Sequence, residues 1–143
     1  MGNHISAINA AFVDQFFTFV DKRDFGRVEA MLSSDCEIGA PGFAQVGAKS
    51  VSQWMEGFFG AFPDLRHSPQ RTVIDDENVA VELRVTGTHT GDLTFPDGSS
   101  VPPTGRSLDI ILAEFWSHDN NVVTQYTVLY DTHDFLVQLG LVA

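Results

Sequence analysis

The chain has 143 residues, enough for one compact core and short for two domains, so residues 1–143 read as a single domain. Eight basic against 19 acidic side chains leave a net charge of −11 at pH 7, a balance that repels nucleic-acid phosphates and anionic membrane surfaces. With 43% hydrophobic and 19% charged residues and one cysteine, Cys36, the composition excludes disorder, an intrachain disulfide and a cysteine-built zinc site.

The first stretch, MGNHISAINAAFVDQFF, carries no basic leader, and Asp14 interrupts its apolar positions. Together with the lone thiol this predicts a protein of the reducing cytoplasm. Ile5, Ile8, Phe12, Phe16, Phe19 and Val20 recur at three- and four-residue steps and predict an amphipathic helix. Asp24 is placed to cap a second helix reaching Leu32. A brief strand over residues 36–38 follows, and Gly39, Pro41, Gly42 and Gly47 then predict a loop without regular structure. A third helix over residues 47–62 presents Val51, Trp54, Met55, Phe58, Phe59 and Phe62 on one broad face, and Pro63 ends it.

After Pro63 the period changes from helical to alternating. Val79, Val81, Leu83 and Val85 alternate with polar neighbours and define a strand over residues 78–90. Residues 66–75, 107–117 and 121–130 read as further strands, and Phe95-Pro96-Asp97-Gly98 as a tight turn. Residues 131–140 predict a short capped helix carrying Phe135, Leu136 and Leu139. Three helices followed by an antiparallel meander is an α+β architecture. Residues 107–117 are apolar on both faces, with Leu108, Ile110, Leu112 and Trp116 on one and Ile111, Ala113 and Phe115 on the other. A sheet with water on one side needs only one apolar face, so the second predicts a homodimer through the sheet.

Few residues are positioned for chemistry. His89 is in phase with Val79 to Val85 and points to the apolar side, either as a hydrogen-bonding electrophile or base, or as a core-edge histidine satisfied by backbone. Asp131 follows the last strand at the rim of an aromatic-lined cavity. There, desolvation would raise its pKa and fit it for acid/base work, while an Asp at a helix start equally reads as an N-cap. Glu114 falls in phase with Leu112 and Trp116 and is a second possible buried acid. Phe12, Phe16, Trp54, Phe58, Phe59, Glu114 and Trp116 are the expected lining of a pocket for a small apolar molecule. The histidines show neither HxH nor HExxH spacing, and no nucleotide-loop or GxSxG pattern occurs, so neither metal nor organic cofactor is expected.

Four strings stand in register over most of the chain: Phe62-Pro63-Asp64-Leu65-Arg66, Val85-Thr86-Gly87-Thr88-His89-Thr90-Gly91, Val101-Pro102-Pro103-Thr104-Gly105-Arg106, and Tyr130-Asp131 with Leu139-Gly140-Leu141. In order and separation they resemble the SnoaL-like polyketide cyclase family. The resemblance implies the cone-shaped α+β barrel of nuclear-transport-factor-2-like and ketosteroid-isomerase-like proteins, a curved, mostly antiparallel sheet wrapped around three N-terminal helices with a short C-terminal helix. It also implies a dimer, and ring closure of an aromatic polyketide by intramolecular aldol condensation without metal or organic cofactor. By motif the acid/base role would fall to Asp131. Where many relatives read Glu-His-Trp, this chain has Gln125-Tyr126-Thr127, so Tyr126 would act as a phenolic donor or line the wall. Strict alternation sets Tyr126 and Asp131 on opposite faces. A cyclase or isomerase acting through Asp131, Tyr126 and His89 is thus the leading expectation. Its alternatives are a cofactor-free hydroxylase or hydrolase, and a non-catalytic ligand-binding dimer.

Overall fold

The structure, a computed structural model, describes residues 8–143. Asn9 accepts the Phe12 N–H at 2.9 Å and starts helix α1 (Ala10–Asp21). Its buried face is Val13, Phe16, Phe17 and Val20, so Phe12 and Phe19 of the expected stripe flank the core and are only partly buried. Ile5 lies outside the described residues. Asp24 caps α2 (Phe25–Ala30), which stops short of Leu32 because that residue opens strand β1 (Leu32–Ala40).

The segment expected to be an irregular loop is a hairpin. The chain turns at Pro41 and Gly42 (φ 72°) and returns along β1 as β2 (Phe43–Val46). Proline fixes the first corner of such a turn and glycine supplies the positive φ of the second, so the residues read as breakers join the two strands. Helix α3 (Ala48–Ala61) follows, then β3 (Arg66–Ile74), β4 (Asn78–Thr88), the small hairpin β5 (Leu93–Thr94) and β6 (Ser100–Val101), and the long β7 (Ser107–Asp119) and β8 (Val122–Leu129). Asp131 caps the last helix, α4 (Thr132–Gln138).

Six strands form one sheet in the order β2-β1-β8-β7-β4-β3. All neighbours are antiparallel except β1 and β8, which run parallel. The expected order of helices first and strands second therefore needs amendment, since β1 and β2 precede α3 and complete one side of the sheet. The helices fill the concave side, with α1 against β3 and α3 against β1. Along β7 the inward residues Leu108, Ile110, Leu112, Glu114 and Trp116 are buried, while Ile111 and Phe115 on the convex side are about half exposed, at 54% and 49%. Both apolar faces read from the sequence are present.

A polar clasp holds α3 over the sheet. Asp64, just after α3, accepts the Thr88 N–H at 2.7 Å and the Thr88 hydroxyl at 2.8 Å, and these hydrogen bonds hold its carboxyl below the ordinary aspartate range. The N–H groups of Thr90 and Gly91 donate to the Ala61 carbonyl. Gly91 passes so close to α3 that a Cβ there would lie 1.9 Å from the Gly60 carbonyl oxygen, which leaves glycine as the fitting residue. The aromatic face of α3 is thereby fixed opposite β4, β7 and β8.

Candidate active site

Strand alternation carries Glu114 into the interior. Its neighbours across the sheet are Val81 on β4 and Val128 on β8, both buried and apolar, and its own exposure is 2%. The Trp116 indole N–H, two residues along the same face, donates to Glu114 Oε1 at 3.0 Å. Burial raises the Glu114 pKa from the ordinary 4.5 to about 7; hydrogen bonding from Tyr126 and Trp116 and the proximity of His67 pull it down without offsetting the desolvation. The Tyr126 phenol is itself pushed well above 10 by burial and by the Glu114 charge, so it remains a neutral donor. A carboxyl divided between its two protonation states near pH 7, beside a phenol that keeps its proton, can give or take a proton at an oxygen.

These two groups face an inner cavity of about 40 Å³, room for a few water molecules. Phe17 of α1, Phe59 of α3 and Leu112 of β7 form part of its apolar wall, and His67 of β3 borders it. Next to it lies an outer groove of about 430 Å³, the size range of small-molecule sites, between Phe43 of the β1–β2 hairpin, Phe95 of the β5–β6 turn and Leu136 of α4. Trp54, Phe58, Tyr130 and Phe135 border both spaces. They form an aromatic wall common to the groove and the inner cavity.

His67 is held by the last residue of α1. Both Asp21 carboxylate oxygens accept the His67 backbone N–H, at 3.2 and 3.0 Å, and Oδ1 is also 2.7 Å from Nδ1 of the ring. The ring stacks on Phe17, with centroids 5.8 Å apart and planes at 22°, and Phe59 packs at 6.3 Å.

The residues expected from sequence divide sharply. Trp54, Phe58, Phe59, Glu114 and Tyr126 all line the inner cavity. Phe12 is a flank of the core, whereas Phe16 and Trp116 are fully buried behind the site, where Phe16 packs on Trp116 at 4.8 Å and Trp116 stacks on Tyr126 at 5.6 Å. They support the lining without forming it. His89 is fully buried, as its phase required, but borders neither space. Its Nδ1 accepts the Thr104 N–H at 3.1 Å, which makes Nε2 the protonated nitrogen of the neutral ring, and that atom has no hydrogen-bond partner among the described residues. The ring anchors the 102–106 loop beside Phe62, at a centroid distance of 5.3 Å.

Asp131 corrects the central expectation. Strand β8 ends at Leu129, Asp131 is exposed, and its carboxyl accepts the Asp134 N–H at 2.9 Å as the N-cap of α4. The apolar surroundings expected around it are absent, because Tyr126, Val128 and Tyr130 take the inward positions and the chain then leaves the sheet. The residues missed by sequence are His67, Asp21 and the cavity-lining Tyr130 and Phe135. Cys36 is buried, and desolvation with Asp35 and Glu37 alongside pushes its thiol up to about 11, which leaves it a poor nucleophile.

The profile of the SnoaL-like domain matches residues 13–126. No curated protein matches this sequence. Among solved structures, AclR of Streptomyces galilaeus, a candidate hydroxylase, is 24% identical with a TM-score of 0.78, over 93% of this chain and 96% of that one. A candidate SnoaL-like polyketide cyclase of Jannaschia sp. CCS1 is 17% identical with a TM-score of 0.78, over 99% and 100%. IdmH, a candidate polyketide cyclase of Streptomyces antibioticus, is 19% identical with a TM-score of 0.76, over 92% and 97%. At these identities the likeness is one of fold, the cone-shaped α+β barrel with its short C-terminal helix. No helix among the described residues is long and apolar enough to cross a membrane.

Proposed function

The chain belongs to the SnoaL-like family, and on that footing we propose that it is a cyclase or isomerase acting on a flat, largely apolar carbonyl compound through its own acid and base side chains. The observation that carries this reading is Glu114, a carboxyl in an apolar cavity whose pKa burial lifts to about 7. A protonated Glu114 donates to a carbonyl oxygen as charge develops there, and the neutral Tyr126 phenol supports the same oxygen. In an aldol closure the acceptor carbonyl gains that proton while an enol carbon of the same molecule forms the new C–C bond. The enol O–H proton, released as its carbonyl re-forms, returns the Glu114 carboxylate to the acid. The rings lie in the outer groove and against the shared aromatic wall, with only the reacting end in the small inner cavity. The exposed, helix-capping Asp131 is the one feature that favours a non-catalytic binding module. Glu114 outweighs it, because burial of an acid in apolar surroundings opposes folding even with the Trp116 and Tyr126 hydrogen bonds, and calls for a use.

The whole chain is read as one such domain, working in the cytoplasm as a homodimer. Support for the dimer is the convex sheet face, where Val73, Ile111, Phe115 and Leu129 are exposed together and the ion pairs Arg71–Glu82 and Arg84–Asp109 lie alongside. An apolar centre with a paired rim suits a second copy of a chain that otherwise carries −11. The same charge disfavours nucleic acid and anionic membranes as partners.

The test is ligand discrimination. Binding of 2-naphthol, whose hydroxyl stands in for an enol, is followed by quenching of the two tryptophans, Trp54 and Trp116. Naphthalene is the control. Glu114→Leu is expected to weaken 2-naphthol about tenfold or more, since its hydroxyl loses a buried partner, and to leave naphthalene unchanged. Equal preference for the two ligands in wild type and variant would overturn the reading.

A further inference from the structure

Proton transfer at a carbonyl compound needs a base for the acidic carbon as well as an acid for the oxygen, and Glu114 cannot be both within one step. A second titratable pair borders the same inner cavity. Asp21 ends α1, where the helix dipole disfavours an anion unless a donor partner meets it. A carboxylate only accepts, so the Asp21 contact at Nδ1 places the proton of the neutral ring there and leaves the lone pair on Nε2. The backbone N–H bond would by itself tie α1 to β3. The ring contact adds a fixed tautomer and, with Phe17 and Phe59 against the imidazole, a fixed orientation. The charged groups that face His67 are Asp21 from α1 and Glu114 from β7, while the Arg23 guanidinium sits over the Phe59 ring at 4.8 Å from its centroid.

We infer that His67 is the base of the reaction and Asp21 its positioning residue, and that the acidic C–H of a ketone substrate enters the inner cavity between His67 and Glu114. This rests on the proposed role of Glu114 as the acid. The C–H bond breaks and its proton passes to Nε2. The freed electron pair forms the C=C bond of an enol, and the carbonyl oxygen takes the Glu114 proton. The products are the enol, an imidazolium paired with the Asp21 carboxylate, and a Glu114 carboxylate. Reversal of the two transfers, or attack of the enol carbon on a second carbonyl, completes an isomerisation or a ring closure.

The experiment follows deuterium uptake into the α-carbons of 2-tetralone, a flat bicyclic ketone, by proton NMR in D2O. The wild type is expected to exceed buffer, and His67→Gln to lose about a hundredfold or more of the excess rate. Asp21→Asn keeps an acceptor for Nδ1–H but removes the counter-anion. It is expected to slow exchange about tenfold or more with KM for the ketone unchanged, a loss confined to kcat that a purely structural tie would not produce. If His67→Gln does not fold, Asp21→Asn decides alone, and an unchanged rate, or a rise in KM with kcat unchanged, would overturn the inference. Exchange slowed by Glu114→Gln but not by His67→Gln overturns the base and leaves the acid standing. No exchange above buffer in the wild type overturns both.

Discussion

Replacing Glu114 by glutamine has a consequence for stability that can be worked out from its burial alone. An unfolded chain ionises this group near 4.5 and the folded one near 7, so between those values the native state holds a proton that the unfolded state has released. Stability then falls as pH rises through that window. Below 4.5 the group contributes nothing, and above 7 its full cost is present. The interval, at about 1.4 kcal/mol for each pH unit, amounts to roughly 3 kcal/mol. Glutamine keeps an acceptor for the Trp116 N–H at 3.0 Å but cannot ionise, and so escapes the cost. With an unfolding entropy of about 2 cal/mol/K per residue, 3 kcal/mol in a chain of this size corresponds to a Tm difference of roughly 10 °C. Thermal unfolding of both proteins by circular dichroism at pH 5 and pH 8 is the assay. Groups that titrate alike in the two proteins cancel in the difference. The advantage of Glu114→Gln should be about 3 °C at pH 5 and grow by a further ~8 °C at pH 8. A gap that does not change with pH would refute the argument that burial governs this carboxyl.

Other consequences are smaller in scope. Tyr126→Phe removes a hydrogen bond that lowers the folded-state Glu114 pKa, so the pH at which the stability cost levels off should rise above that of the wild type in the same melting series, while its onset near 4.5 stays where it is. Asp131→Ala should cost about 1 kcal/mol, a loss of roughly 3 °C in Tm, while 2-naphthol affinity by tryptophan quenching stays unchanged. A loss of affinity without a loss of stability would return Asp131 to the chemistry. Phe115→Asp puts a charge at the centre of the exposed sheet face, and light scattering should find a dimer for the wild type and a monomer for the variant.

Where one period governed a segment, the sequence was readable. The alternation of Val79 to Val85 placed β4, and the same rule along β7 put Glu114 inside and Phe115 outside. His67 escaped because the period breaks in β3. Counting back from Ile74 and Thr72 in twos puts Ser68 and Arg66 inside, yet a bulge between Pro69 and Arg71 shifts the register and turns His67 inward. Pro69 has no N–H to give and β3 is an edge strand, where such an interruption is tolerated. The parallel pairing of β1 with β8 depends on contacts far apart in the chain, which local pattern does not carry. Asp131 shows the opposite difficulty, since a strand end and a helix start share the same residue types and only geometry tells a rim carboxyl from a cap.

The strings that revealed the family are largely structural. Asp64 with Thr88, Gly91 against Gly60, and His89 with Thr104 clasp α3 and the 102–106 loop to the end of β4. They hold the cavity open and take no place in it. The groups fitted for proton transfer, Glu114, Tyr126 and His67, lie outside those strings, so the motifs made the fold legible, while of the site strand phase supplied Glu114, the resemblance pointed to Tyr126, and His67 was missed.

A titration of the protein labelled with carbon-13 at the glutamate side-chain carboxyls reads the decisive property without any ligand. The account predicts one resonance with a midpoint near 7 that is missing from Glu114→Gln. A spectrum in which every glutamate titrates between about 4 and 5, as unburied ones do, would contradict it.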